Sequence, residues 1–186
     1  MDAKNSLWII SLAVLIAGLL SIMPSQNAII PNESGLSYNS RVCVYKNEDL
    51  VDCGPNLLVN TGNNTIMDLL TGSTTTEVKY IVLCNATNAT AGSCDTPAAA
   101  DTALDGQEFT LCGLARAAGT IAQRGTGNFS YSKVFTATCN SLVTNVTGLF
   151  NSTVGAGDVY FAGNTFTSVT LQSADQLNVT WYIWVT

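Results

Sequence analysis

The sequence predicts an all-β fold: a single β-sandwich of jelly-roll or immunoglobulin-like type, with one short helix and an extended N-terminal tail. Three observations carry this. Thr, Asn, Ser, Val and Gly dominate while Lys and Glu are scarce, a composition that suits pleated, half-buried strands and not exposed helix faces. About ten segments of strand character follow one another at spacings near ten residues, the rhythm of a sandwich. Six cysteines, an even number, follow an apolar N-terminal segment, as in exported proteins that form disulfides.

That apolar segment comes first. Asp2 and Lys4 precede 17 uncharged residues, Leu7 to Met23, which end at Pro24. A secretory signal has a polar start, an apolar stretch of about 7 to 15 residues and small residues at the cut. A spanning helix takes about 20 apolar residues. The segment therefore reads as an export signal over residues 1–25, with a retained short anchor as the alternative. The cut falls between residues 23 and 28, after Ser25 or Ala28, where Met23 or Gln26 spoils the small-x-small pattern. Pilin-type processing fits less well, because Asp2-Ala3-Lys4-Asn5-Ser6 has no Lys or Arg followed by Gly or Ala.

Residues 26–39 form the expected tail. Ala28, Ile29, Ile30 and Pro31 precede a polar spacer, and Ile30, Leu36 and Tyr38 share one face if the tail is extended. Pro31 confines such a strand to an edge or an end.

The sandwich is expected over 40–186. Arg41 to Lys46 reads as a strand, Asn47-Glu48-Asp49 as a turn and Leu50 to Cys53 as the returning strand. After Gly54-Pro55, a helix of about two turns is expected from Asn64 or Thr65, with Ile66, Leu69 and Leu70 at helical spacing and Gly72 just past its end. Val78 to Cys84 is the next strand. Asn85 to Asp105, rich in Asn, Ala, Thr and Gly, reads as a long exposed excursion. Glu108 to Leu114 reads as a strand, and Ala115 to Ala122 fits either a strand or a short helix. Gly125-Thr126-Gly127 turns the chain into Phe129 to Cys139. There Phe129, Tyr131, Lys133, Phe135, Ala137 and Cys139 form one row, with Lys133 the polar exception on the inner side. Leu142 to Phe150, Val159 to Ala162, Phe166 to Leu171 and a last strand ending at Thr186 complete the set. Leu177, Val179, Trp181, Ile183 and Val185 line the inner face of that last strand, while Asn178, Thr180, Tyr182 and Trp184 line the other.

Composition excludes several functions. The formal charge is −6 with only seven Lys and Arg, scattered at Lys4, Arg41, Lys46, Lys79, Arg116, Arg124 and Lys133, so no basic patch for nucleic acid is expected. The chain has no histidine, which removes the usual general base, the Ser-His-Asp and Cys-His nucleophile pairs and the facial-triad metals. No enzymatic activity, catalytic residue, cofactor or metal site is expected. Glu48, Asp49 and Asp52, like Asp95, Asp101 and Asp105, read as solvated turn residues; a calcium loop would want the D-x-[DN]-x-[DN]-G pattern. Gly125-x-Gly127 and Gly155-x-Gly157 lack a following helix and a Walker lysine, so they are turns and not phosphate loops. Trp181 and Trp184 suggest a sugar-stacking platform, although core and interface are the commoner roles for tryptophan on a terminal strand.

Cys43, Cys53, Cys84, Cys94, Cys112 and Cys139 leave fifteen connectivities open. Their order suggests nearest-neighbour pairing, Cys43 with Cys53, Cys84 with Cys94 and Cys112 with Cys139. Glycosylation sequons stand at Asn32, Asn63, Asn85, Asn88, Asn128, Asn145, Asn151 and Asn178. That density behind an export segment marks these asparagines as expected N-glycan sites on a surface poor in charge.

The export segment followed by Ala28-Ile29-Ile30-Pro31, the eight sequons and the strand-rich body from Arg41 to Thr186 together resemble the glycosylated thread filaments of Sulfolobus-type archaea. The resemblance is of architecture over most of the chain. It implies a sandwich that lacks a strand and accepts the tail of its neighbour, so that Ala28, Ile29, Ile30, Pro31, Leu36 and Tyr38 act as a donor strand. It also implies a homopolymer on the cell surface that meets the membrane only during export. The body from Leu57 to Thr186, with NTGNNTIMDLL, VKYIVL and its long closing stretch, is also similar to small viral tail and capsid-like sandwiches, which implies a virion structural protein as an alternative. A monomeric adhesin or carbohydrate-binding module is the other alternative.

Overall fold

The computed structural model describes residues 37–87, 94–104, 106, 108–153 and 158–185. The chain forms β1 (Tyr38–Lys46), β2 (Asp49–Pro55), β3 (Leu57–Leu58), helix α1 (Asn60–Thr71), β4 (Tyr80–Leu83), β5 (Ala117–Ala118), β6 (Thr120–Gly125), β7 (Asn128–Thr136), β8 (Leu142–Phe150), β9 (Tyr160–Leu171) and β10 (Gln176–Val185). Two five-stranded sheets result, a front sheet in the order β2-β1-β10-β7-β6 and a back sheet in the order β3-β9-β8-β4-β5. Every paired neighbour is antiparallel. The expected all-β, two-sheet architecture with one short helix is the observed one.

Side-chain alternation builds the core. Val42 and Val44 on β1, Phe135 on β7 and Leu177, Val179, Trp181 and Ile183 on β10 form the inner row of the front sheet. They pack in one cluster with Ile81, Leu83, Leu149 and Leu171 of the back sheet. The run Ile81-Val82-Leu83-Cys84 does not alternate, and the fold explains why. Ile81 and Leu83 enter this central cluster, whereas Val82 and Cys84 enter a second one with Val59, Cys94, Leu104, Val146, Phe150 and Tyr160. Both faces of the back sheet are therefore covered, as contiguous apolar runs require.

The cover on the second face corrects one expectation. Residues 94–104 are largely exposed as expected, but they are anchored on the back sheet and do not project freely. Cys94 and Leu104 are buried, Pro97 lies against Gly163 of β9, the Ala99 carbonyl accepts from Asn60 N at 2.8 Å, and the Cys84–Cys94 disulfide pins the segment. Asn88 and the rest of 88–93 lie outside the described residues.

Other boundaries also move. Helix α1 starts four residues before the expected Asn64, capped by the extended backbone of Val59 and by no side chain. It ends as expected, with Gly72 left-handed at φ 73°. Glu108 to Leu114 is not a strand: Glu108 makes a single bridge to Cys84, Phe109 N donates to Leu83 O, and the chain then turns through Cys112 and Gly113 at positive φ. That turn drives Leu114 fully into the core and is tied down by Cys112–Cys139. The segment that fitted either strand or helix is strand, divided between the sheets at Gly119. Gly163 does not separate two strands; it lies inside the continuous β9, opposite Gly148. The first hairpin turns through Asn47 and Glu48, both at positive φ, the geometry of a two-residue turn that matches strand twist. Cys43 and Cys53 face each other across that hairpin.

Candidate functional site: an open groove between the sheets

The central core is not closed at the end of the sandwich where β1 begins. A cavity of about 730 Å³ opens there. Its front wall is the inner row of Tyr38, Phe129, Tyr131, Ile183 and Val185, continued by Ile121 on the edge strand β6. Its back wall combines Val78, Leu149 and Phe161 with Ile66, Leu69 and Leu70 of α1. Gly119 forms part of the floor, where a Cβ would meet the side chains of Ile81 and Tyr131 at 3.2 Å.

Two further depressions extend this cavity in opposite directions. One, of about 370 Å³, shares Ile121, Phe129 and Tyr131 and runs along β6 and β7 to Gly125 and Gly127. The other, of about 770 Å³, shares Tyr38, Ile66 and Leu70 and runs beneath α1 to Pro55, Asn56 and Leu57. Together they form one trench, elongated and not bowl-shaped. Leu70 and Ile121, at 70% and 62% exposed, are large apolar side chains left in water along it. On the front side the trench ends at β6, which pairs only with β7 and leaves its outer backbone edge without a strand partner among the described residues.

The polar groups of the trench sit at its margins. Lys79 pairs with Glu77 at the rim, an exposed contact. The Tyr38 hydroxyl lies 3.3 Å from Asn56 Nδ2, which donates to it. Burial raises the pKa of Tyr38 and is also the leading cause of the rise at Tyr131, with Glu77 second, so both phenols stay neutral in the physiological range. No charged pair lies along the floor, and the trench suits an apolar, extended occupant more than a polar small molecule.

The predicted site residues divide sharply. Ala28, Ile29, Ile30, Pro31, Leu36 and Asn32 lie outside the described residues. Tyr38, expected in the donor tail, is instead the first residue of β1, in register with Val185, and it lines the trench. The tail therefore ends before Tyr38. Trp181 and Trp184 do not form a platform: Trp181 is fully buried on the inner row, and Trp184, three residues on, stands on the outer row. Of the described sequons only Asn63, on α1, is exposed, whereas Asn85, Asn128, Asn145, Asn151 and Asn178 are half-buried. All three disulfides follow the nearest-neighbour scheme.

An open groove is what the resemblance implies, but its position and lining were not legible in the sequence, since its walls come from strands far apart in the chain. The signal was Ile121, an isoleucine on an edge strand flanked by Thr120, Gln123 and Arg124.

The fold and the trench define a disulfide-bonded two-sheet β-domain with an incompletely filled interior. The chain matches no family model, no curated protein and no solved structure. Among the described residues no helix is long and apolar enough to cross a membrane; Leu7 to Met23 lie outside them. Three disulfides fit an extracellular setting.

Proposed function

We propose that the chain is the structural subunit of an extracellular surface filament, polymerising head to tail by donation of its N-terminal tail to the trench of the next subunit. The observation that carries this reading is the trench, an elongated apolar cleft beside an unpaired strand edge. An incoming strand satisfies both needs at once, because its N–H and C=O groups complete the edge of β6 while alternate side chains fill the cleft. Residues 26–36 supply such a strand. Eleven residues extended at about 3.3 Å each reach about 36 Å, with Ile30 and Leu36 on one face as anchors in the cleft and Ile29 on the other. Donation from one copy to the next is heterologous and does not close, so it gives a fibre and not a dimer. N-glycans on asparagines away from the trench would keep a fibre poor in charge soluble.

The test is electron microscopy of sheared cell-surface material, with N-terminal sequencing of the subunit. Filaments whose subunit begins between residues 24 and 29 are expected. A Met1 start, or monomers only, would overturn the reading, and insertion of the tail into its own trench would show up as such monomers. Ile29→Asp with Ile30→Asp should leave the disulfides and β-content intact and abolish fibres.

A further inference from the structure

The outer faces of the two sheets differ. The back sheet is covered by residues 94–104, while among the described residues no chain segment crosses the outer row of the front sheet, which carries an uncommon arrangement of cations. Tyr182 on β10 stands between two guanidinium groups. Arg41, its register partner on β1, lies 5.6 Å from the Tyr182 ring and 5.9 Å from the Trp184 ring. Arg124, from β6, lies 5.7 Å from the Tyr182 ring on the side of β7 and β6. Tyr182 and Trp184 stack with centroids 6.3 Å apart and planes at 24°.

These arginines are unusual in this chain. Lys46 pairs with Asp175, Lys79 with Glu77, and Arg116 with Glu108 and Asp158. Of the described cations only Arg41, Arg124 and Lys133 lack a carboxylate partner among the described residues, and Lys133 faces inward. In a chain of net charge −6, the two outward-facing unpaired cations therefore converge on one aromatic ring. Arg124 Nε donates to Ser130 Oγ at 3.3 Å, which leaves its terminal N–H groups, and the guanidinium of Arg41, to meet an anion.

From this basic end a trough of about 460 Å³ runs along the strands, lined by Tyr45, Ser132, Asn178 and Thr180 and finishing at Gln176 and Glu48. Hydroxyls, amides and two tyrosines in a shallow channel suit the hydroxyl-rich, flat-faced surface of a sugar chain. Glu48 gives the channel a polarity, because it disfavours an anion at the end remote from Arg41 and Arg124.

We propose that this face binds an acidic polysaccharide. A uronate carboxylate or sulfate ester meets Arg124 beside Tyr182 at the head of the trough, Arg41 on the other side of the ring takes a second anionic group of the same chain, and the following sugars lie along the trough toward Asn178. The site is on the opposite face of the front sheet from the trench and does not depend on polymerisation. It would let the surface carrying the protein adhere to an anionic glycan coat.

The full secreted chain is titrated calorimetrically with oligogalacturonate and heparin-derived hexasaccharides, with maltohexaose, hexaglutamate and inorganic sulfate as comparisons. At least one acidic hexasaccharide is expected to bind about tenfold or more tighter than maltohexaose and hexaglutamate, with an affinity that falls as salt rises and a change in Trp184 emission. Arg41→Gln and Arg124→Gln, both at exposed positions, should each weaken binding about fivefold or more, while Lys133→Gln should not. Several results would overturn the proposal: no binding of either acidic hexasaccharide, equal binding of hexaglutamate or sulfate, or insensitivity to both arginine substitutions. Binding seen only with Asn178→Gln protein would also overturn it, since the chain's own glycan would then be the occupant.

Discussion

Ile121 on β6 stands directly opposite Tyr131 on β7, yet Ile121 is 62% exposed while Tyr131 is half-buried. Both belong to the inner row of the front sheet, which elsewhere meets the back sheet. The back sheet stops at the two-residue β5, so among the described residues no strand lies over Ile121. Replacing an exposed isoleucine normally changes stability by no more than about 0.5 kcal/mol. Ile121→Asp is therefore expected to leave the thermal midpoint of the isolated subunit nearly unchanged while stopping fibre growth. Sedimentation and calorimetry on the same sample check both halves, and a fibre of normal length from this variant would remove β6 from the accepting site.

Helix α1 forms the opposite wall, and its seat on β9 depends on Gly62. A Cβ there would collide with the backbone carbonyl of Phe161 and with the Leu58 side chain, and a backbone oxygen cannot step aside cheaply. Gly62→Ala, which would help an exposed helix, is expected here to cost about 1 to 3 kcal/mol by overpacking. It should also lift α1 away from β9 and widen the trench. Denaturant unfolding gives the first quantity, and faster exchange of the Val59 amide, which bonds to Phe161 O, reports the second.

Much of this architecture was legible because strand alternation is a local signal. The inner row of β10, the Phe129 to Cys139 pattern and the limits of β8 all follow from period-two burial. Two of the disulfides follow from order along the chain because Cys43–Cys53 closes a hairpin and Cys84–Cys94 a single loop, while Cys112–Cys139 spans β5 to β7. What escaped was non-local. Leu114 is buried by a left-handed turn at Cys112 and Gly113, and Cys112, like most non-glycine residues, seldom adopts positive φ. Residues 94–104 read as a free excursion because their few apolar side chains are spread among Ala, Thr and Asp, and a one-sided view of the back sheet gave them nothing to cover. The Arg41–Tyr182–Arg124 arrangement needs the strand order β1-β10-β7-β6, which no spacing in the sequence reveals.

Arg116 shows how such a non-local contact holds the sandwich. Its side chain is only 5% exposed and lies 4.0 Å over the Phe150 ring. Its Nε donates to Glu108 Oε2 at 3.1 Å, and one terminal nitrogen donates both to Asp158 Oδ2 at 2.6 Å and to Ser152 O at 3.1 Å. Three segments thereby meet on one planar cation. Arg116→Gln leaves two carboxylates without their counter-charge and is expected to cost about 3 kcal/mol. Arg116→Lys should recover less than half of that, because an ammonium cannot fork to two acids while stacking on a ring. Urea midpoints of the three proteins check the order.

At the other end of the sandwich, Asp175 ties the β1–β2 turn to the β9–β10 turn. Its carboxylate accepts from Asn47 Nδ2 at 2.8 Å and from Gln172 N at 2.8 Å, and Lys46 Nζ lies 2.9 Å away. The Asn47 hydrogen bond, then the Gln172 amide and Lys46, lower the Asp175 pKa to about 2. An unfolded aspartate titrates near 3.9, so the folded state here binds its proton less readily than the unfolded chain. The stabilisation is accordingly complete above pH about 5 and disappears as the pH falls through about 2. Asp175→Asn should be less stable than the parent at pH 7, with the difference constant down to pH about 5, narrowing below that and closing only as the pH falls below about 2. Chemical denaturation of both proteins across that range measures it. A gap as wide at pH 2 as at pH 7 would mean that the substituted amide disturbs the turns by its shape, and that the carboxylate charge of Asp175 is not what joins them.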